Sequence, residues 1–199
     1  METVAGKLLK KIETEKTGTI FLTRDFLDIA SRTAVDQALS RLVKQGTLRR
    51  ISAGMYTRPR FSERLGVEVW PSAEAIAQAA ARKTARKLQY AGPHAANALG
   101  LSDHVPAQNI YLTDGKTRSI VAGGHRIELR HSRAHSLTEA GQTSSAVIEA
   151  LRYLGRGNVD AITVRRLQER LTPKEKAMLS HDAASAPKWM RPWLHAVNQ

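Results

Sequence analysis

Residues 39–56, LSRLVKQGTLRRISAGMY, limit the possible folds more than any other stretch of this chain. Val35, Leu39, Leu42 and Val43 recur at the i, i+4, i+7, i+8 spacing of an amphipathic helix. Gly46 is the residue type that ends one. Two short strand-like runs follow at once, joined by a Ser52-Ala53-Gly54 turn and carrying Arg49 and Arg50. A helix that runs straight into a tight, charged hairpin fits few small architectures.

The residues upstream narrow them further. VAGKLLKKIE places Val4, Leu8, Leu9 and Ile12 on one helical stripe, with Lys7, Lys10 and Lys11 off it. Thr19–Leu22 reads as a short strand. Thr23 is placed as the N-cap of a second helix reaching about Ala30, with Asp25 in its first turn. A break at Ser31 or Arg32 opens the third helix. Helix, strand, helix, helix and hairpin, in that order, make a winged helix-turn-helix over residues 1–60. Leu48 and Ile51 stand three apart instead of alternating, which predicts a bulge or a strand start after Leu48.

With its buried positions assigned, the third helix exposes Thr33, Ala34, Asp36, Gln37, Ser40, Arg41 and Lys44. Gln37 has the groups to pair bidentately with adenine and Arg41 with guanine, while Thr33 or Ser40 suits a phosphate or a base edge. Asp36 is the exception: it repels phosphate unless it accepts from a cytosine amino group or orients Arg41. Arg49, Arg50 and Arg58 sit where a wing meets phosphate. The charge balance agrees. There are 31 Lys and Arg against 18 Asp and Glu, a net +13. Residues 1–60 alone carry 12 basic and 6 acidic side chains. Such a field favours a polyanion as partner.

RPRFSERLGVEVWP, residues 58–71, has no clear period and two prolines, so a domain boundary is placed at 60/61. Residues 61–199 then read as a small mixed domain. Its first part is the helix SAEAIAQAAARKTAR, ending in Arg82, Lys83, Arg86 and Lys87, a cluster that favours the helix dipole. An antiparallel meander is expected over about 88–132. Its strands are Leu88–Tyr90, Asn109–Thr113 and two more, turned by Asp114-Gly115 and Gly123-Gly124, with a small helix near His94–Leu99 packed on it. Ile127 and Leu129 face inward, and Arg126, Glu128 and Arg130 face outward. Helices follow over about 142–197. Ala146, Ile148, Leu151 and Leu154 line one, and Ile162, Val164, Leu167 and Leu171 the next. Thr172-Pro173 opens a third. Trp189, Met190, Trp193 and Leu194 close the core. The fold class is α+β.

Several function classes lose support. The chain has no cysteine, so a disulfide framework, a thiolate zinc site and a Cys nucleophile are excluded. No apolar run is long enough for a membrane span, and the N-terminus has no secretion-signal pattern, so a cytoplasmic protein without a membrane partner is expected. His131 and His135 are four apart but lack a carboxylate at ligand spacing. Neither a phosphate-cradling glycine loop nor a nucleophile with its base is recognisable. The expectation is a non-enzymatic protein without metal or cofactor.

ALSRLVKQGTLRRISAGMY, together with GPHAANALGLSDHVPAQNIYLTDGKTR and HRIELRHS, resembles the AbiEi-like antitoxins of bacterial abortive-infection (type IV toxin–antitoxin) systems. Within them it is most similar to a short branch containing a domain of unassigned function. Asp103-His104, before Val105-Pro106, is a local departure. The resemblance implies a winged helix that binds double-stranded DNA at inverted repeats upstream of its own operon and represses it. It also implies a second domain that neutralises a nucleotidyltransferase-like toxin without a stable complex. By motif position it assigns DNA reading to Thr33, Gln37, Ser40, Arg41 and Lys44, and wing contacts to Arg49, Arg50, Ser52 and Arg58. Arg118, Arg126, Arg130 and Arg133, with Arg82, Lys83, Arg86 and Lys87, form a candidate antitoxin surface. The alternatives are a protein-interaction module that sequesters a toxin directly and an RNA-binding factor. The second is poorly provided with aromatic residues, which are 5% of the chain.

Overall fold

The computed structural model describes residues 3–132 and 142–199, and the chain is α+β. It divides into two compact units, one running to Ala85 and including Ile120–Arg126, the other comprising Arg86–Ser119 and Ile127–Gln199.

In the first unit, helix α1 (Val4–Glu13) is capped by Thr3, whose hydroxyl accepts from the Gly6 amide at 3.2 Å. It buries Leu8 and Ile12, with Val4 and Leu9 packed at the margin. Strand β1 (Ile20–Leu22) is buried throughout. The expected second helix is only a single 3-10 turn, Thr23–Phe26, and Thr23 is not its cap. Instead the Asp25 carboxylate accepts from the Leu22 amide at 2.9 Å, and Lys11 ties the Asp25 carbonyl to α1 at 2.7 Å. These bonds hold the segment in a tight turn too short for a helix. Helix α2 (Arg32–Lys44) follows, capped by Ser31. It buries Val35, Ala38, Leu39 and Leu42, while Val43 lies at the edge of the core. Beyond α2, Gly46 turns the chain at φ +75°, a conformation that favours glycine.

Strands β2 (Arg49–Ser52) and β3 (Met55–Thr57) form the hairpin, and β1 pairs with β3 to give an antiparallel sheet in the order β1-β3-β2. The irregularity after Leu48 has two parts. The strand starts at Arg49, and a bulge lies between Arg50, opposite Tyr56, and Ser52, opposite Met55. Residues 58–71 are not a linker. They form a second hairpin, β4 (Arg60–Ser62) and β5 (Val67–Val69), bracketed by Pro59 and Pro71. Helix α3 (Ala73–Lys83), capped by Ser72, packs against β1. The division therefore falls after Ala85, not at residue 60, because Arg82 and Lys83 bond back to the Ile20 and Ala53 carbonyls at 2.6 and 2.5 Å.

The second unit holds a four-stranded sheet in the order β6-β7-β9-β8, built from β6 (Leu88–Tyr90), β7 (Asn109–Thr113), β8 (Arg118–Ala122) and β9 (His125–His131). The turn-proximal ends of β8 and β9 group with the first unit. The sheet is not an antiparallel meander. β7 and β9 run parallel, with Asn109 opposite Ile127 and Thr113 opposite His131, and β8 takes the edge. Asp114-Gly115 does not fold β7 back onto β8. The Asp114 carboxylate accepts from the Lys87 amide at 2.9 Å and the Gly115 amide donates to Thr113 Oγ1 at 3.1 Å, so the turn is tied to β6 and to its own strand. Gly123-Gly124 does close β8 onto β9, at φ +59° and +77°.

Helices α4 (Gly92–Ala98), α5 (Gln142–Leu154), α6 (Ala161–Arg170), α7 (Pro173–Asp182) and α8 (Arg191–Ala196) pack around Ala95, Val147, Leu151, Leu167, Leu179, Met190 and Leu194. Val164 and Leu171 join that core as expected. Ile162, in the first turn of α6, is 62% exposed because it lies on the opposite face of the helix from Val164. Thr172 and Glu175 cap α7 reciprocally, with the Thr172 amide donating to Glu175 Oε2 at 2.9 Å. Among the described residues no helix is long and apolar enough to cross a membrane.

Candidate nucleic-acid interface

The outer face of α2 follows from helical geometry and the buried stripe. At about 100° per residue, Thr33, Gln37, Ser40 and Lys44 form a narrow stripe with Arg41 at its margin. All five are exposed, and the buried Val35, Ala38, Leu39 and Leu42 lie on the opposite side. Asp36 is exposed as well, and its charge is met locally by Arg32, one turn earlier, at 3.2 Å. Of the two roles left open for Asp36, an ion pair with Arg32 stands where orientation of Arg41 was one alternative. The face is therefore polar and cationic, with short side chains near its N-terminal end and two long cations toward its C-terminal end. Those cations also suit the helix dipole.

The hairpin is arranged differently from the expectation. Arg49 is half-buried and already occupied. Its guanidinium forks onto the Glu68 carboxylate, with a closest approach of 2.5 Å, and stacks over the Trp70 ring at 4.7 Å. Each partner shifts the other: the bonded carboxylate raises Arg49, and Arg49 holds Glu68 below the ordinary carboxylate range. Arg49 is thus a joint between β2 and β5. The tip is held too. Lys83 Nζ donates to the Ala53 carbonyl, and the Thr23 amide donates to the Gly54 carbonyl at 3.4 Å. Arg50 stays exposed, with Nε donating to the Ser52 carbonyl at 3.4 Å. Ser52 turns its hydroxyl to Met55 Sδ at 3.2 Å, and Arg58 is half-buried. Sequence reasoning missed Glu68 and Trp70, and grouped Lys83 with a different surface. Each acts on a partner nineteen to thirty residues away, beyond the reach of local periodicity.

A family model described as a family of unknown function (DUF6088) matches residues 7–179. The chain belongs to that family. No curated protein matches it. Among solved structures it is similar to the crystal structure of the RV2827C protein from Mycobacterium tuberculosis, at 13% identity, with a TM-score of 0.49 and coverage of 98% of this chain and 76% of that one.

The cations grouped as a second candidate surface are divided between the two units of this DUF6088 chain. Arg82, Lys83 and Arg126 belong to the first unit, and Arg86, Lys87, Arg118 and Arg130 to the second. Arg133 and His135 lie outside the described residues. Arg82 is committed to Asp25 at 3.2 Å, and Lys83 to the hairpin tip. Arg130 forks onto Glu128 at 2.9 and 3.0 Å. His131 donates from Nδ1 to the Gly115 carbonyl at 2.9 Å, so it stabilises the turn after β7.

Proposed function

We propose that this chain is a sequence-specific double-stranded-DNA-binding protein whose first unit works as a winged helix-turn-helix, with α2 as the helix that enters the major groove. The observation that carries the reading is the exposed Thr33-Gln37-Ser40-Arg41-Lys44 face of α2. It lies opposite a fully apolar face, in a unit whose order is helix, strand, turn, helix, hairpin. The net charge of +13 supports a polyanionic partner. The resemblance to AbiEi-like antitoxins supports a narrower role: an autorepressor at inverted repeats upstream of its own operon, and an antitoxin countering a nucleotidyltransferase-like toxin without a stable complex. Catalysis has no part in this reading, which places the protein in the bacterial cytoplasm.

Two substitutions test it. Arg41→Ala removes a bidentate base contact and is expected to relax discrimination at one operator position by about 1–3 kcal/mol. Arg50→Ala removes a phosphate contact, weakens every sequence alike and lowers the salt slope by about one. Filter binding on an operator series, repeated across salt concentrations, separates the two patterns. Identical binding by both variants and the parent would remove α2 and the hairpin from the interface.

A further inference from the structure

Apart from Arg58 and the Arg49 partners Glu68 and Trp70, residues 58–71 have no assigned role, yet they contain the more exposed of the first unit's two hairpins. The β4–β5 hairpin pairs only with itself, and Arg60, Phe61, Glu63, Arg64, Leu65 and Val67 are all exposed. Phe61 is 61% and Leu65 67% exposed, so neither side chain stabilises the ribbon by burial. Such a ribbon is marginal in water unless something fixes it. Here β5 is fixed at its end by Glu68 and Trp70, through the fork and stack with Arg49. Trp70 is held from another side by Gly123, where an added Cβ would come within 2.7 Å of the indole side chain. Arg49 lies five residues beyond Lys44, the last residue of α2, so the hairpin is anchored next to the cationic end of the candidate reading face.

The fork also sets the charge of the hairpin. With Glu68 neutralised by Arg49, Glu63 is the remaining carboxylate against Arg60 and Arg64. Arg60 and Arg64 make no ion pair among the described residues. The tip of the β2–β3 hairpin, by contrast, has its carbonyls held by Lys83 and Thr23. From these observations we infer that the β4–β5 hairpin is a second DNA-contacting arm: Arg60 and Arg64 bind backbone phosphates, and Phe61 and Leu65 lie against the sugar faces of the groove wall. Mixed cationic and apolar projections of this kind suit a duplex groove, where phosphate and sugar contacts fix register without reading sequence. The inference rests on the DNA-binding reading and adds a surface to it.

The test uses the full chain, on a duplex carrying its upstream repeats and on a scrambled duplex, titrated between 50 and 200 mM salt. R60A/R64A is expected to lower the salt slope by about two on both duplexes, so that the parent loses about tenfold more affinity than the variant across that range. Leu65→Ser is expected to weaken both duplexes equally. Glu63→Gln is expected to strengthen both. Far-UV circular dichroism checks that each variant is folded, which their exposure favours. A parent that binds the repeats selectively while R60A/R64A keeps its slope overturns the arm and leaves the α2 reading standing. A parent with no duplex affinity overturns both. Leu65→Ser that leaves DNA affinity unchanged but dissociates a dimer in sedimentation would assign the hairpin to contact between copies instead.

Discussion

Arg49 shows how a single side chain changes its role once the chain has folded. Next to Arg50 on a hairpin, it reads as a phosphate contact; in the structure it is fixed between a carboxylate and an indole ring. Glu149 is a second case. It lies on α5 with little exposure, and burial pushes its carboxyl upward against the opposing pull of Arg152. The native state therefore holds this proton more tightly than the unfolded chain, and the sign follows. Stability falls as pH rises from the ordinary glutamate value of 4.5 through the raised native value. Glu149→Gln removes the titration, so its stability relative to the parent should grow with pH across that window. Urea unfolding at several pH values measures this, and a constant difference would contradict it. Gly92, at the start of α4, has no room for a methyl group: a Cβ there would lie 2.8 Å from Tyr153 Cβ and 3.1 Å from the Glu149 carbonyl. Gly92→Ala should cost about 1–3 kcal/mol through overpacking. Thermal unfolding would show it as a lowered midpoint.

At the scale of elements, the parts set by local chemistry were legible from the sequence. The stripes of α1 and α2, the glycine after α2, the bulge near Leu48, the Gly123-Gly124 turn and the Thr172 cap all depend on residues a few positions apart. The cap can be measured directly: Thr172→Ala leaves the Glu175 amide without its acceptor and should cost about 1 kcal/mol, read by chemical unfolding. What escaped the sequence depends on distant pairing. Asp114-Gly115 carries a hairpin signal, but β9 arrives parallel to β7 and takes the edge that a meander would have given to β8. The β4–β5 hairpin lacked a readable period because Phe61, Leu65 and Val67 face solvent instead of a core. For the candidate interface, the α2 face was readable because burial of one stripe fixes the opposite one. The hairpin contacts were not, since Glu68 and Lys83 meet it only after folding.

At the scale of the molecule, two units with separate apolar cores share one excess of positive charge, densest in the first sixty residues. Charge alone predicts salt-sensitive attraction to any polyanion. On the proposed reading the α2 face adds discrimination, and only discrimination separates a repressor from a merely basic protein. The decisive measurement is a gel shift of the full chain on the DNA upstream of its own start codon, beside a fragment with the repeats scrambled, from low to physiological salt. The account predicts a complex with the native fragment that persists at physiological salt while the scrambled one is lost. Equal binding to both fragments, vanishing together as salt rises, would contradict it and turn attention to direct binding of a protein partner.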